Sequence, residues 1–227
     1  HGIRGEEGRA DAAFVADFAA AHAIPCRMTR EDVPAYAARH GLSVEMAARE
    51  RRYRFLRRTA VEMGPGTVIA TGHQAEDQAE TVLMRILRGT GLHGLSAIRP
   101  RRGNVVRPLL SVSRADIEAY CLQEGLSPRQ DATNAEMDAV RNRLRLELMP
   151  LLRDRYNPEI TMALCRLADI ARDEGDFLRR SVEAIWQKVA QPIPEGWALA
   201  RSAFSQQPVA LQEGVLRRLA EVLGERM

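Results

Sequence analysis

Apolar residues recur at helical spacing along most of the chain, and short β-branched runs break that rhythm. Asp11 to His22 is Ala-rich and predicts a short helix, with a strand behind it at Ile24–Met28. Ser43 is placed to cap a helix from Val44 to Met63, which Gly64-Pro65-Gly66 closes. Thr67–Ala70 predicts a short buried strand, and Gln74–Arg88 the helix that follows it. A further strand is expected at Val105–Leu110. Ser113, with Asp116 three residues on, approximates a capping box for a helix reaching Glu124. Helices alternating with short strands predict an α/β fold with at least some parallel strands. Beyond Asn157-Pro158 the pattern changes. Ile160, Leu164, Leu167, Ala171, Leu178, Val182, Ile185 and Val189 keep one helical stripe, a small strand fits Trp197–Ala200, and another helix fits Pro208–Leu223. We therefore expect two domains, 1–157 and a mainly helical 158–227.

Composition narrows the class without choosing a function. The 227 residues are 45% hydrophobic and 28% charged, an ordinary globular balance that needs no staples. Cys26, Cys121 and Cys165 stand far apart, which excludes a disulfide framework, a zinc ribbon and an iron–sulfur cluster held by this chain alone. No apolar run approaches the length of a membrane span and no signal peptide is recognisable, so a cytoplasmic protein without a membrane partner is expected. The first residue is His1 rather than Met, from which a fragment or a start outside the sequence is expected. Charge is uneven: residues 1–110 hold 17 Arg against 12 acidic residues, and the remainder 16 basic against 18 acidic. Lys188 is the only lysine. Guanidinium grips phosphate in a fork that Lys cannot offer, although a GC-rich genome writes the same bias.

The most informative stretch is Thr71-Gly72-His73-Gln74-Ala75-Glu76-Asp77-Gln78-Ala79-Glu80-Thr81, between a predicted strand and a predicted helix. Ala75, Ala79, Val82, Leu83 and Ile86 form one apolar stripe, while His73, Asp77, Glu80 and Arg88 fall opposite it. Open α/β sheets bind ligands where a strand turns into a helix, and carboxylates there can hold Mg²⁺ or a cationic substrate. The same spacing also describes a solvated helix face with dipole-stabilised acids. Arg52 points toward Ala48, Phe55 and Leu56, so its partner is either an internal acid, solvent reached by snorkelling, or a phosphate. Arg88-Gly89-Thr90-Gly91 is either a helix stop or a backbone approach to phosphate. Arg141 and Arg145, one turn apart, are either a solvated face or a phosphodiester clamp.

Taken as a set, these segments resemble the tRNA(Ile)-lysidine synthetase family of the PP-loop ATP-pyrophosphatase group. The matching pieces are His1-Gly2-Ile3-Arg4-Gly5-Glu6, Ala47-Ala48-Arg49-Glu50-Arg51-Arg52-Tyr53, and Ala70 through Asp77, Glu80 and Arg88 to Gly91. Arg107-Pro108-Leu109-Leu110, Arg141-Asn142-Arg143-Leu144-Arg145 and Tyr156-Asn157-Pro158 extend the match to about residue 158. The resemblance implies a mostly parallel, Rossmann-like sheet flanked by helices. It implies ATP and Mg²⁺ as cofactors, with free lysine and an isoleucine tRNA bearing a CAU anticodon as partners; a homodimer stays open. The implied reaction adenylates C2 of the wobble cytidine and lets lysine displace AMP. Residue by residue, it assigns Asp77, Arg52 and His73 to catalysis, Asp77 to the metal, and Glu80 with Asp77 to lysine. It assigns His1, Arg4, Arg88, Gly89, Thr90 and Gly91 to ATP, and Arg141, Asn142 and Arg145 to tRNA.

Two departures stand out. The family's Ser-Gly-Gly-x-Asp-Ser phosphate loop, expected before His1, is not in this sequence, and Gln74 stands where many relatives have a second His. A tRNA thiolase of the same group would use an active-site Cys pair, which the three scattered cysteines do not supply. The alternative from another class is a non-catalytic helical module that binds RNA through its arginines, distinguished by salt-dependent affinity without turnover.

Overall fold

The computed structural model describes residues 5–129 and 139–224. In chain order the elements are α1 (Gly5–Ala21), α2 (Val33–His40), α3 (Val44–Glu62), β1 (Ile69–Ala70), α4 (Ala75–Leu87), α5 (Leu92–Leu95), β2 (Arg101–Arg102), β3 (Val105–Val106) and α6 (Arg114–Gln123). There follow α7 (Ala139–Arg143), a π-helical turn (Leu144–Leu148), α8 (Met149–Arg155), α9 (Ile160–Val189), β4 (Ala190–Ile193), β5 (Gly196–Leu199), α10 (Arg201–Ser205) and α11 (Val209–Gly224). They group into two compact units. One holds the described residues of 5–74 and 100–147, the other those of 75–99 and 148–224. No helix among the described residues is long and apolar enough to cross a membrane.

In the first unit the local signals act as read. Ser43 Oγ accepts the Met46 N–H at 3.2 Å and opens α3, and Ser113 Oγ accepts the Asp116 N–H at 3.1 Å and opens α6. Each satisfies a backbone donor that the first helical turn leaves without a partner. Helix α2 was not expected. Asp32 caps it by accepting the Ala35 N–H at 3.0 Å, and Gly41 ends it at φ 62°. Val33, Tyr36 and Ala37 of α2 then pack on Ala47 and Ala48 of α3. Strand β1 pairs in parallel with β3 through Ile69–Val105 and Ala70–Val106, and β2 pairs antiparallel with β3. Ile69, Val105 and Ala60 form the core beneath, with Tyr53 and Leu56 against it.

The strands are shorter and fewer than expected. Ile24–Met28 forms no strand, and Ile24 and Met28 are 53% and 60% exposed. An extended segment becomes a strand only when a neighbour takes its backbone hydrogen bonds, and no ladder partner flanks it among the described residues. The run at Val105–Leu110 stops at Val106. The Arg107 N–H still donates to the Pro100 carbonyl at 2.8 Å in the β2–β3 register, but Pro100 and Pro108 have no N–H to carry the ladder further. The fold is therefore helix-rich α/β, with one parallel strand pair among the described residues.

In the second unit α4 packs on α9 through Ala79, Val82, Leu164 and Ala168, joined by Ala97 and Met149. The stripe read beyond Pro158 forms a single helix of 30 residues, roughly 45 Å long at 1.5 Å per residue. Its C-terminal part carries the β4–β5 hairpin and α11 around Trp186, Val189 and Val215. Gly214 makes that contact close, since a Cβ there would lie 2.3 Å from Val182 Cγ2.

Candidate active site

The chain leaves β1 through Thr71-Gly72-His73-Gln74 and enters α4 at Ala75. Within the first unit, the Thr71 N–H donates to the Val106 carbonyl at 3.0 Å, which continues the parallel register by one residue. The Thr71 hydroxyl hydrogen-bonds His73 Nδ1 at 2.8 Å. The bond orients the imidazole, and the hydroxyl, which both donates and accepts, serves either tautomer.

Within the second unit, Glu76 and Asp77 sit in the first turn of α4, where the helix dipole favours carboxylates. Asp77 is half-buried. Gln78 is enclosed and clasps one backbone unit from both sides. Its amide donates to the Ile98 carbonyl at 3.1 Å and accepts the Ile98 N–H at 2.8 Å. Glu80 is 2% exposed and heads the largest fully enclosed side chains. It takes part in interactions within the protein, as a buried carboxylate must to offset its desolvation.

Two contacts from α9 hold this region. The Cys165 thiol donates to the Ala75 carbonyl at 3.4 Å, and burial pushes its pKa up to about 11. A thiol so raised stays protonated at neutral pH and serves as a donor, not a nucleophile or metal ligand. Arg99 forks onto Asp176 at 2.6 and 3.1 Å. That guanidinium, more than any other neighbour, holds the Asp176 carboxyl below its ordinary pKa.

Not every expected site residue stands where the spacing puts it. Glu80 is nearly as enclosed as Ala79, at 2% against 0% exposed, whereas Ile86 of the expected apolar stripe is 44% exposed. Periodicity places residues around a helix axis but does not say how many sides are covered, and α4 is covered on more than one. Arg52 is exposed, not buried in the apolar face, and makes no ion pair among the described residues. Helix α3 buries Ala47 and Ala48 against α2 and Ala60 against β1 and β3, and the long Arg52 side chain reaches solvent beside these small residues.

Arg88, Gly89, Thr90 and Gly91 are all exposed. Gly89 at φ 73° follows the end of α4, as a helix stop requires. A glycine the sequence reading passed over, Gly94, is needed for packing: a Cβ there would lie 1.7 Å from Thr90 Oγ1. Arg141, Asn142 and Arg145 are half-buried and engaged within the protein, the last of them in the π-helical turn. His1 and Arg4 lie outside the described residues. Gln78, Cys165 and the Arg99–Asp176 pair had no sequence signal, because each depends on a partner distant in the chain.

A polar loop at the carboxyl end of a strand in a parallel pair is where open α/β proteins bind ligands. The family model of the PP-loop domain matches residues 1–152, and the chain belongs to this ATP-binding family. The chain is also similar to proteins named tRNA(Ile)-lysidine synthase. That of Dehalococcoides mccartyi is 38% identical over 232 residues, covering 98% of this chain and 49% of the relative. The one from Symbiobacterium thermophilum is 41% identical over 230 residues, with 96% and 47% covered. A third, from Caldanaerobacter subterraneus, is 36% identical over 219 residues, again with 96% and 47% covered. The chain spans about half the length of the curated relatives it matches.

Proposed function

We propose that the chain carries the ATP-using part of a tRNA(Ile)-lysidine synthase. The observation that carries this reading is the likeness to proteins of that name over 96–98% of the chain. In the proposed reaction the C2 oxygen of the wobble cytidine, in an isoleucine tRNA with a CAU anticodon, takes AMP from ATP and releases pyrophosphate. The amino group of free lysine then attacks C2, gives up a proton and expels AMP. A tRNA substrate puts the reaction in the cytoplasm. In this reading β1 and β3 belong to a mostly parallel, Rossmann-like sheet, residues 1–157 form the ATPase part, and 158–227 serve substrate binding.

The residues of this chain suit that chemistry. No group of three or more His, Cys, Asp or Glu side chains that could hold a metal gathers among the described residues. Mg²⁺ does not need one, since it binds through one or two carboxylates with water and phosphate oxygens completing its shell. Asp77, half-buried at the start of α4, is the carboxylate that would hold it, and Mg²⁺ there would neutralise phosphate charge. Glu80, three residues on and on the same side of the helix, is assigned with Asp77 to the ammonium of lysine. His73, fixed by Thr71, is assigned to proton handling. Arg52 and the Arg88–Gly91 turn, all exposed, are assigned to phosphate, with His1 and Arg4 toward ATP; Arg141, Asn142 and Arg145 are assigned to tRNA.

The test uses the full-length gene product with ATP, Mg²⁺, lysine and unmodified tRNA(Ile) of CAU anticodon. AMP release that requires both tRNA and lysine, with a modified wobble nucleoside by mass spectrometry, is the expected result. An unmodified wobble base with lysine-independent ATP breakdown would refute the assignment.

A further inference from the structure

Helix α3 carries six arginines; besides the exposed Arg52, which has no ion pair among the described residues, five divide into two groups. Arg51 pairs with Glu31, Arg54 with Glu50 at 3.4 Å, and Arg58 with Glu62 at 3.7 Å. Arg49 and Arg57 make no ion pair among the described residues. Instead their guanidinium carbons lie 5.2 and 5.9 Å from the centroid of the Tyr53 ring between them. Both line a cleft of about 590 Å³ between α3 and the β2–β3 hairpin, within the first unit. Arg102 and Arg107 line it from the hairpin side. Arg102 is exposed and likewise makes no ion pair among the described residues.

Among the described residues Glu50 is the one carboxylate lining this cleft, and it is already engaged. It accepts the Tyr36 hydroxyl at 2.6 Å and pairs with Arg54. Arg51, Arg54 and Arg58 are each paired with an acid, whereas Arg49, Arg57 and Arg102 bring to the cleft wall charges that no acid pairs among the described residues. Holding like charges around one concave surface has a Coulomb cost that an anionic ligand would remove. A ring flanked by two guanidinium groups attracts them through its π face, which favours holding both charges beside the cleft. Arg49 and Arg57 come from successive turns on either side of Tyr53, so the two charges share one wall of the cleft with the ring.

We infer that this cleft binds a stretch of single-stranded RNA backbone. Forked donors take the phosphates, and the Tyr and Arg planes offer stacking surface to unpaired bases. The inference rests on the reading of the protein as a tRNA-modifying enzyme and adds to it a place where the strand is gripped.

The experiment measures binding of a fluorescein-labelled single-stranded RNA of anticodon-loop sequence to the full-length gene product, by anisotropy over a KCl series. Arg49→Gln with Arg57→Gln should weaken binding about tenfold and lower the salt slope by one to two. Arg102→Glu should weaken it further. Tyr53→Phe, which keeps the ring, should bind as wild type, whereas Tyr53→Leu should not. Arg58→Gln, a charge paired outside the cleft, should leave the slope unchanged. Unfolding temperatures of the variants test for damage to the fold, and ATP affinity should not move. RNA affinity and slope unchanged in the Arg49/Arg57 and Arg102 variants would overturn the cleft assignment, as would a loss of ATP affinity in place of RNA affinity. Such a failure leaves lysine-dependent AMP release by the wild type intact. Failure of the proposed activity, by contrast, shows in the wild type before any variant is made.

Discussion

Helices α3 and α4 are both rich in charge, yet they bury opposite kinds of residue. Helix α3 buries Ala47, Ala48 and Ala60 and none of its six arginines. Helix α4 buries Gln78 and Glu80 together with Ala75, Ala79 and Val82. The difference separates two uses of polarity. Exposed ion pairs on α3 are screened and contribute about 0–1 kcal/mol each, so its charges can be spent on a mobile anionic ligand. Enclosed polar groups on α4 are held in one geometry, because losing a partner leaves a buried atom unsatisfied at about 1–3 kcal/mol. A group that must meet a reacting atom belongs on the second kind of helix.

If that contrast is right, the largest effect comes from Asp77. Asp77→Asn keeps the shape and removes the charge, so lysine-dependent AMP release should fall by about 10²–10³-fold or more while thermal unfolding stays near wild type. Substantial turnover in the amide variant would put Asp77 among ordinary first-turn acids. Glu80→Gln comes next. It should raise the lysine requirement by about tenfold or more with little change in the ATP requirement, since one charge-assisted contact is lost. Parallel changes in both Michaelis constants would make Glu80 a structural group.

Gln78 tests the same helix without touching chemistry. Gln78→Leu strands the Ile98 N–H and carbonyl and should cost about 2 kcal/mol, read as an unfolding midpoint lower by roughly 5 °C. An unchanged midpoint would show that the two hydrogen bonds to Ile98 are replaced at no cost. The smallest effect is expected at Asp176, whose carboxyl Arg99 holds below its ordinary value. A depressed carboxylate stabilises the fold above the unfolded-state value near 4 and loses that contribution as pH falls through the folded value. Asp176→Asn should therefore be less stable than wild type by about 1 kcal/mol at neutral pH, with the gap closing below about pH 4. Denaturant midpoints across that range check it, and a gap independent of pH would remove the ion pair from the account.

Much of the molecule is legible from neighbouring residues alone. Ser43 and Ser113 cap the helices they were expected to cap, because a cap satisfies a donor only three positions away. The long stripe from Ile160 to Val189 forms one helix, since its period is a local property. His73, Asp77 and Glu80 were also visible as candidates, from residue type and place after a strand. What the chain alone left open depends on partners far along it. The expected strand at Ile24–Met28 has no ladder neighbour among the described residues, whereas Ile69 pairs with Val105, far along the sequence. Arg52 is exposed and Glu80 enclosed, the reverse of what their helical spacing suggests, because coverage is set by what packs on a helix and not by its own period. Gln78 finds Ile98 twenty residues away and Arg99 finds Asp176 seventy-seven residues away. Spacing and caps are short-range and were written in the sequence; burial, ion pairing and the charge left on the α3 cleft are sums over distant neighbours, which only the folded chain brings together.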